Sequence, residues 1–436
     1  MDSIKVGLLG FGTIGTGVIR VLQKNADLLQ QRLGKKLELA KVVDLDITTD
    51  RGVQLEAGLL STDVEDIISN PDVDIAIELI GGYEPAKSFI LKAIANGKHI
   101  VTANKALMAL HGQEILVAAE ENGVEVMFEA AVGGGIPVIS AIKENLCAND
   151  FSNVLGILNG TCNYILTEMT ENGSDFAPVL KDAQELGYAE ADPTFDIEGV
   201  DTAHKIALLA ALCFGTKVDF DKVYTEGITN VAAIDIQFAT QMGYKIKLLA
   251  IGKNLGDQIE VRVHPTMIPD SYQLSEVDGV FNAVRLSGDF LGPALLYGSG
   301  AGMDATASAV MGDVMAIGRD MISGAKRRTP IMGYCSDQID ELPIKPMSDI
   351  ISRYYLRFTV VDAPGVLAQI SGILGKYDIS IQSMIQPERH AADAVPIVIM
   401  THEAKEDNIN KALAEIDQLK IVQEPTRLIR VETNLG

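Results

Sequence analysis

Short apolar runs alternate with amphipathic segments over the first 130 residues of the chain. The apolar runs predict strands, and they are IKVGLLG, LELAKVV, VDIAIELI, KHIVTA and EVMFEA. Segments near 14–31, 84–96 and 104–122 lie between these runs and have the periodicity of helices. Such an alternation predicts a parallel sheet that is covered by helices on both faces.

The pattern changes between residues 135 and 322, where longer helical segments accompany a cluster of strands. The strand candidates in this region are NVLGIL, YKIKLLAIG, QIEVRVHPT, NAVRLSG and ALLYGSG. Strands that follow one another closely along the chain favour antiparallel pairing. This region is therefore predicted to be an α+β domain with a mostly antiparallel sheet.

The last quarter of the chain has two parts. Residues 323–352 lack clear periodicity and contain three prolines, so a linker is predicted there. Residues 353–436 give a strand, a helix, two strands, a helix and a strand, which is the order of a ferredoxin-like βαββαβ unit. The predicted fold class is α/β, with the parallel-sheet domain at 1–134, the α+β domain at 135–322 and the ferredoxin-like domain at the C-terminal end.

The charge balance excludes one class of partner. The 436 residues include 36 lysines and arginines and 59 aspartates and glutamates, a formal net charge of −23. No basic stripe stands out, so nucleic acid is not expected as a partner. No uncharged apolar run approaches the roughly 20 residues that span a bilayer, and the first residues lack the pattern of a signal peptide. We therefore predict a cytoplasmic protein that does not contact membranes.

The four cysteines, Cys147, Cys162, Cys213 and Cys335, are scattered and form no C-x-x-C motif. We expect them to be reduced, small residues of the core. Their spacing favours neither a catalytic thiol nor a zinc site.

The segment GFGTIG fits the G-x-G-x-x-G pattern and lies between a predicted strand and a predicted helix. In this pattern Gly10 permits a tight turn, Gly12 lets a pyrophosphate approach the backbone, and Gly15 allows close packing of the helix on the strand. The unpaired N–H groups at the start of the helix bind the anion. This context predicts a Rossmann-like, dinucleotide-binding domain, and the alternative is a glycine turn in another kind of α/β protein.

An acidic residue, Asp44, ends the second predicted strand. A carboxylate at this place binds the ribose 2′-hydroxyl of NAD and repels the 2′-phosphate of NADP. Asp44 follows Gly10 at a longer interval than usual, and Arg51 lies close enough to attract a phosphate. The residues favour NAD and leave NADP open.

A lysine, Lys105, follows directly on the strand KHIVTA, at the edge where ligands bind in doubly wound sheets. It is a candidate functional residue. An ordinary surface lysine is the alternative interpretation.

A second lysine, Lys205, follows a cluster of carboxylates and begins an almost wholly apolar helical segment. The stretch is ELGYAEADPTFDIEGVDTAHK, and Asp201 lies one helical turn before Lys205. A buried ammonium group needs a partner, which Asp201 supplies. Asp196 and Glu190 lie in a loop that could fold over a small polar ligand. Two interpretations stay open: a structural ion pair, or a polar pocket in which a lysine gives a proton and a carboxylate holds a substrate ammonium.

The motifs together resemble the homoserine dehydrogenase family. They are GFGTIG, TANK, EAAVGGGIP, GILNGTCNYILT, LGYAEADP, the D-x-x-x-K of Asp201 and Lys205, and SGAGMDATASAVMGD. The segments VDAPGVLAQISGIL and DISIQSMIQ resemble an ACT domain and would make residues 353–436 regulatory. The resemblance implies the NAD(P)-dependent interconversion of L-aspartate 4-semialdehyde and L-homoserine, on the route to threonine, methionine and isoleucine.

The resemblance also implies roles for individual residues. Lys205 and Lys105 match the catalytic lysines, and Glu190 matches the residue that binds the substrate amino group. Asp196 and Asp201 match the acids that order the lysines and the substrate. The cofactor contacts would be Gly10, Phe11, Gly12, Thr13, Ile14, Gly15, Asp44, Lys105 and Gly302. Val43 replaces an arginine that many relatives carry, which fits the preference for NAD.

The family binds a monovalent cation, usually sodium, through main-chain carbonyl groups, and the matching residues are Glu129, Val132, Gly134 and Ile136. Because carbonyl ligands leave no signature in a sequence, only the resemblance predicts this site. A glycine-rich hinge between domains is equally compatible with the segment.

The ACT-like unit implies feedback inhibition by threonine. The family implies a homodimer or homotetramer, in which residues 135–322 would bind substrate and support dimerisation. A purely structural dimerisation module is the alternative for this unit. Two other functions stay open for the whole chain, namely a dehydrogenase of a related semialdehyde and a non-catalytic amino-acid sensor. The presence of Lys105, Lys205, Glu190 and Asp196 argues against the sensor.

Overall fold

The computed structural model describes residues 3–325, 328–386 and 394–433, and begins with a six-stranded sheet. The elements of this first part are β1 (Ser3–Leu9), α1 (Thr13–Lys24), α2 (Ala26–Leu33), β2 (Lys36–Val43), β3 (Leu60–Ser61), α3 (Glu65–Ile68), β4 (Ile75–Glu78), α4 (Ala86–Ala95), β5 (His99–Thr102), α5 (Lys105–Asn122) and β6 (Val126–Met127). The strand order is β3-β2-β1-β4-β5-β6, and all pairs are parallel. The predicted parallel sheet is confirmed, while β3 and α3 are too short to have shown a period in the sequence.

The order of these strands fixes where a ligand can bind. The chain runs from β1 outward to β2 and β3, then returns to β4 on the other side of β1. This reversal is a topological switch point, and the crevice beyond the carboxyl ends of β1 and β4 is the ligand site of such sheets. Both strands are almost fully buried because helices cover both faces of the sheet.

The second part of the chain builds an antiparallel sheet flanked by helices. Its elements are α6 (Val138–Ser140), β7 (Phe151–Ile157), α7 (Gly160–Asn172), α8 (Phe176–Glu185), α9 (Thr194–Ile197), α10 (Val200–Phe214), β8 (Tyr224–Thr225), α11 (Ala233–Gln241), β9 (Tyr244–Asn254), β10 (Ile259–Pro269), β11 (Phe281–Gly288), β12 (Gly292–Ser299) and α12 (Met303–Ser323). The order β12-β11-β7-β9-β10 is antiparallel throughout. All five predicted strands form.

The helix α12 leaves the second part and packs on the first sheet. Val310, Val314 and Ile317 share a core with Ile4 and Val18. A side chain at Gly17 of α1 would collide with the backbone of Met303, so the two helices approach closely only because this residue is glycine. In space, α12 belongs with the dinucleotide-binding sheet, although its place in the chain put it within the second predicted domain.

The C-terminal part is a βαββαβ unit, as predicted, with one additional short strand. Its elements are β13 (Ile351–Val361), α13 (Val366–Lys376), β14 (Ile381–Ile385), β15 (Ala394–Thr401), β16 (Ala404–Lys405), α14 (Glu406–Ile416) and β17 (Val422–Val431). The strand β17 also pairs in parallel with β10, through Thr266 with Arg430 and Met267 with Val431. The sheets of the second and C-terminal parts are therefore joined, which no local pattern in the sequence predicts.

The segment between α12 and β13 has little regular structure but is anchored to α10. The Tyr334 hydroxyl donates a hydrogen bond to the carbonyl of Cys213 at 3.0 Å, and Thr216 forms an isolated bridge with Asp340. The linker therefore packs along the end of α10.

All four cysteines are free, but only Cys162 and Cys213 are buried. Cys147 and Cys335 are exposed, so the expectation that all four belong to the core is wrong for these two. Both lie in segments between regular elements, where no periodic pattern indicates burial. In the described part of the chain, no helix combines the length and apolar character required to cross a lipid bilayer.

Candidate active site

The glycine loop occupies the crevice edge between β1 and α1. Gly10 has φ +101°, and a side chain there would lie 2.7 Å from the Leu79 carbonyl group at the end of β4. A side chain at Gly15 would collide with the Gly10 carbonyl oxygen, whereas Gly12, the residue before α1, faces open space. The loop therefore leaves room at the helix N-terminus, where N–H groups bind a pyrophosphate.

The carboxylate of Asp44 is bonded to this same loop. Its Oδ2 accepts a hydrogen bond from the Phe11 N–H at 2.6 Å, and its Oδ1 accepts one from Asp46 N–H at 2.8 Å. The guanidinium group of Arg51 lies over the Phe11 ring, 4.6 Å from its centroid, and 3.8 Å from Asp44 Oδ1. The structure thus places an acid and an arginine together at the end of β2.

A second glycine motif lies beside the first. Gly302 has φ +109° and precedes α12, whose first residues pack against α1. Arg20 of α1 and Asp304 of α12 form an ion pair at 3.2 Å. The predicted cofactor residue Gly302 therefore lies at a helix N-terminus close to the glycine loop.

Lys105 is the first residue of α5 and follows β5 at the carboxyl edge of the parallel sheet. The helix starts there because Asn104 caps it, with its side-chain oxygen accepting the Leu107 N–H at 3.2 Å. The Lys105 Nζ lies 3.0 Å from Asp201 Oδ1, although these residues are far apart in the chain. About a third of the lysine side chain, 32%, stays exposed.

Lys205 lies one turn along α10 from Asp201, as the spacing predicted. Its Nζ donates to Asp201 Oδ2 at 2.7 Å and to the Leu158 carbonyl at 2.6 Å. Only 10% of its side chain is exposed, because α10 is buried along almost its whole length. The two lysines therefore converge on one carboxylate, Lys105 from the more exposed side and Lys205 from the buried side.

The charges of the site shift the pKa values of these groups in opposite directions. Burial alone would raise the pKa of Asp201, but Lys205 and Lys105 hold it well below its ordinary value. Burial lowers the pKa of Lys205, and the Asp201 charge offsets this only in part. For Lys105 burial acts in the same direction, but the charges of Asp201, Asp196 and Glu190 raise its pKa above the ordinary value.

The second acid, Asp196, lies on α9 beside Asp201. Burial, together with the Asp201 charge, raises the pKa of Asp196. Its Oδ1 accepts a hydrogen bond from Asn159 Nδ2 at 2.8 Å, and its Oδ2 accepts one from the Thr161 hydroxyl at 3.2 Å. Asn159 and Thr161 lie in the motif GILNGTCNYILT but were not among the predicted site residues, since an N-cap pattern does not show which distant groups its side chains meet.

Glu190 lies on the exposed loop between α8 and α9. Its main-chain carbonyl accepts a hydrogen bond from Gln184 Nε2 at 3.1 Å, whereas its carboxylate has no hydrogen-bond partner among the described residues. Glu190 therefore stands at the rim of the site, near enough for its charge to affect Lys105 but outside the bonded cluster.

An aromatic stack supports this rim. The Phe195 ring lies 5.9 Å from Lys105 Nζ and stacks on the buried ring of His204, which stacks in turn on Phe220 at 4.3 Å. The stack links α9, which carries Asp196, to α10, which carries both Asp201 and Lys205.

The four residues predicted to bind sodium share one buried turn after β6. Gly133 and Gly134 both have positive φ, which lets the chain reverse tightly. The carbonyl groups of Glu129 and Ile136 accept hydrogen bonds from the N–H groups of Val132 and Val138, at 3.3 and 2.8 Å. In the described ranges, the carbonyl groups of Val132 and Gly134 accept no such bond, so both oxygens are available to another ligand.

Three family models match the chain in the order of its structural parts. The model described as "Homoserine dehydrogenase, NAD binding domain" matches residues 10–129, "Homoserine dehydrogenase" matches 137–315, and "ACT domain" matches 354–420.

Proteins similar over their full length carry the same name. The homoserine dehydrogenase of Pseudomonas aeruginosa is 46% identical over 435 residues, and that of Neisseria gonorrhoeae is 46% identical over 433 residues, with 99% of both chains covered in each case. The crystal structure of a homoserine dehydrogenase from Thiobacillus denitrificans matches with a TM-score of 0.93 at 46% identity, covering 99% of both chains.

Proposed function

The chain belongs to the homoserine dehydrogenase family of NAD(P)-dependent oxidoreductases, and we propose that it interconverts L-aspartate 4-semialdehyde and L-homoserine. The observation that carries this proposal is the convergence of Lys105 and Lys205 on Asp201, beside the carboxyl edge of the dinucleotide-binding sheet. The route served would be the synthesis of threonine, methionine and isoleucine.

The chemistry divides between the cofactor and the lysines. The nicotinamide supplies a hydride to the aldehyde carbon when the semialdehyde is reduced. The residues of this chain stabilise the negative charge that develops on the carbonyl oxygen and deliver the proton that it takes up. Fixed ammonium groups in a site with little water do this effectively, because they need no reorganisation during the reaction.

We propose Lys205 as the proton donor and Lys105 as a permanent cation. An ammonium group has three N–H donors, and Leu158 and Asp201 accept two of those of Lys205, so one remains for the substrate oxygen. The lowered pKa of Lys205 brings its proton closer to the operating pH, which suits a general acid. The raised pKa of Lys105 keeps that lysine charged throughout.

The substrate amino group would be held by acids at the rim of the site. Glu190 has a carboxylate without a hydrogen-bond partner in the part of the chain described, and the charge of Asp196 acts on both lysines. A carboxylate and an ammonium group attract strongly in a partly buried pocket. This arrangement would give the pocket a preference for an amino-acid aldehyde over a simple aldehyde.

The cofactor is proposed to be NAD, with NADP as the competing ligand. The Asp44 carboxylate has lone pairs left for a ribose hydroxyl after accepting two backbone N–H groups. Arg51 is the cation at this end of β2 that would meet a 2′-phosphate. Gly12 would let the pyrophosphate approach the start of α1, in the turn that Gly10 and Gly15 allow.

A sodium ion would be held by the main-chain oxygens of Glu129, Val132, Gly134 and Ile136. Its role would be structural, since these residues form the turn between the first sheet and the second part of the chain. The carbonyl groups of Val132 and Gly134, which accept no hydrogen bond among the described residues, support this proposal.

The ACT domain is proposed to bind threonine and to reduce the activity when it does. Such domains pair edge to edge, so a homodimer or homotetramer is proposed as the functional form. The turn at Asp362 leads into α13 through Gly365, where helix N–H groups are available to a ligand.

The test is an assay of NADH and NADPH oxidation at 340 nm with L-aspartate 4-semialdehyde, in sodium-containing buffer, with and without threonine. We expect turnover, faster with NADH, L-homoserine as the product and a lower rate with threonine. A folded protein that oxidises neither cofactor would contradict the dehydrogenase proposal and favour an amino-acid sensor.

A further inference from the structure

Asn159 connects the two acids of the site through one side chain. It lies between β7 and α7 and is 6% exposed. Its Nδ2 donates to Asp196 Oδ1 at 2.8 Å and to Asp201 Oδ2 at 2.8 Å. An amide NH₂ group has two hydrogens, so each acid receives one of them.

The orientation of this amide is fixed by a backbone contact. The Oδ1 of Asn159 accepts the Cys162 N–H at 2.8 Å, which makes Asn159 the N-cap of α7. A backbone N–H can only donate, so the oxygen must face Cys162 and the NH₂ must face the acids. The capping bond thus aims both hydrogens at the site.

The acids need such a donor because they repel each other. Asp201 has two ammonium partners, whereas Asp196 forms no ion pair within residues 3–325, 328–386 and 394–433. Neutral donors on Asn159 and Thr161 are its hydrogen-bond partners instead. Hydrogen bonds of this kind favour the ionised form of a carboxyl group. Together with the charge of Lys205, they oppose the burial and the Asp201 charge that raise the pKa of Asp196.

We propose that Asn159 is a positioning residue, which holds Asp196 and Asp201 at a fixed separation with both charges intact. This rests on the proposed function, because it assigns Asn159 to the same reaction. Asp196 thereby stays anionic for the substrate ammonium, and Asp201 keeps one oxygen for each lysine.

Two substitutions of Asn159 separate its role as a donor to the two acids from its role as the N-cap of α7. Asn159→Asp keeps the size and the oxygen that caps α7, but removes both N–H donors. Asn159→Ser also keeps a capping oxygen and retains a single donor, and it introduces no third carboxylate. We expect kcat/KM for semialdehyde reduction to fall about 10- to 100-fold in Asn159→Asp and less in Asn159→Ser, as expected for loss of hydrogen bonds to charged groups.

The pH profile of kcat/KM distinguishes a positioning role from a purely structural one, because a loss of stability alone does not shift the acidic limb. With one or both donors removed, the pKa of Asp196 rises, so protonation begins at a higher pH. We therefore expect the acidic limb of kcat/KM to shift upward in pH in both variants. The matched control is Asn163→Asp on the same helix, where the native amide donates to the carbonyl groups of Val277 and Gly279 and touches neither acid. Its acidic limb should stay at the wild-type position.

Failure of the positioning role and failure of the proposed function give different results. An acidic limb at the wild-type pH in Asn159→Ser, with any loss confined to thermal stability, would overturn the positioning role and leave the proposed function standing. The same holds for Asn159→Asp if it folds. A wild-type protein without turnover would overturn both proposals together.

Discussion

At the scale of single residues, one carboxylate forms ion pairs with two ammonium groups. Asp201 Oδ1 lies 3.0 Å from Lys105, and Oδ2 lies 2.7 Å from Lys205. The environments of the two lysines differ, so their pKa values move apart, with that of Lys105 raised and that of Lys205 lowered. Titratable pairs that are separated in this way take different roles, one as a fixed charge and one as a proton donor.

The alkaline limb of the pH profile tests this division. Reduction needs the ammonium form of Lys205, so its kcat/KM should fall as pH rises through a pKa below the ordinary 10.5. Oxidation of homoserine needs the neutral amine, so its kcat/KM should rise through that same pKa. Rates measured in both directions across pH check this. Alkaline limbs at or above 10.5, or limbs that move in the same direction, would contradict it.

Part of this site could be predicted from local spacing alone. Asp201 and Lys205 are four residues apart on one helix, and that interval brings them together. The contact of Lys105 with Asp201 and the bonds of Asn159 join segments that are distant in the chain, so no local pattern contains them. The family resemblance predicted Lys105 as a site residue but did not predict Asn159.

At the scale of elements, the C-terminal domain is attached through a buried ionic contact. Arg357 of β13 donates to Asp235 of α11, with Nε to Oδ1 at 2.5 Å and Nη2 to Oδ2 at 3.0 Å. The Tyr355 hydroxyl donates to Asp235 as well, at 2.7 Å. Removing one partner of a buried pair is costly, because the other charge stays buried without compensation.

We therefore expect Arg357→Ala to lower the free energy of unfolding by about 3–5 kcal/mol. Urea unfolding followed by circular dichroism measures this. The control is Lys217→Ala, which breaks an exposed ion pair with Glu341 and should cost less than about 1 kcal/mol. Equal losses in the two variants would show that the buried pair does not anchor the domain.

The elements themselves were largely predictable. Long runs with a clear period, such as those of β9, β10 and α5, appear where the sequence indicated them. The two-residue strands β3 and β16 were not predicted, because such short segments show no hydrophobic period.

At the scale of the whole molecule, a chain of contacts leads from the C-terminal sheet to the site. Arg430 of β17 lies 2.7 Å from Glu226, and Ile228, two residues further on, donates its N–H to the Ile197 carbonyl at 2.8 Å. Ile197 directly follows Asp196. The pairing of β17 with β10 and the return of α12 to the first sheet were not predictable either, because both depend on contacts between distant segments.

If threonine acts through this route, Glu226→Gln should weaken its effect and leave the uninhibited rate close to that of the wild type. Coupling free energies of 1–3 kcal/mol correspond to about 5- to 150-fold changes in affinity, so the threonine concentration for half inhibition should rise about fivefold or more. Asn230→Ala removes a weaker contact with Arg427 across the same interface and serves as the control. Identical inhibition in both variants would place the coupling elsewhere.

The substitution Lys205→Ala tests whether Lys205 is the proton donor. We expect kcat for semialdehyde reduction at neutral pH to fall about 10²- to 10⁴-fold, the range of general acid catalysis, with partial recovery when a small primary amine is added. The cofactor KM should change little, since the glycine loop is untouched. A variant within tenfold of the wild-type rate and indifferent to amines would contradict the assignment of Lys205.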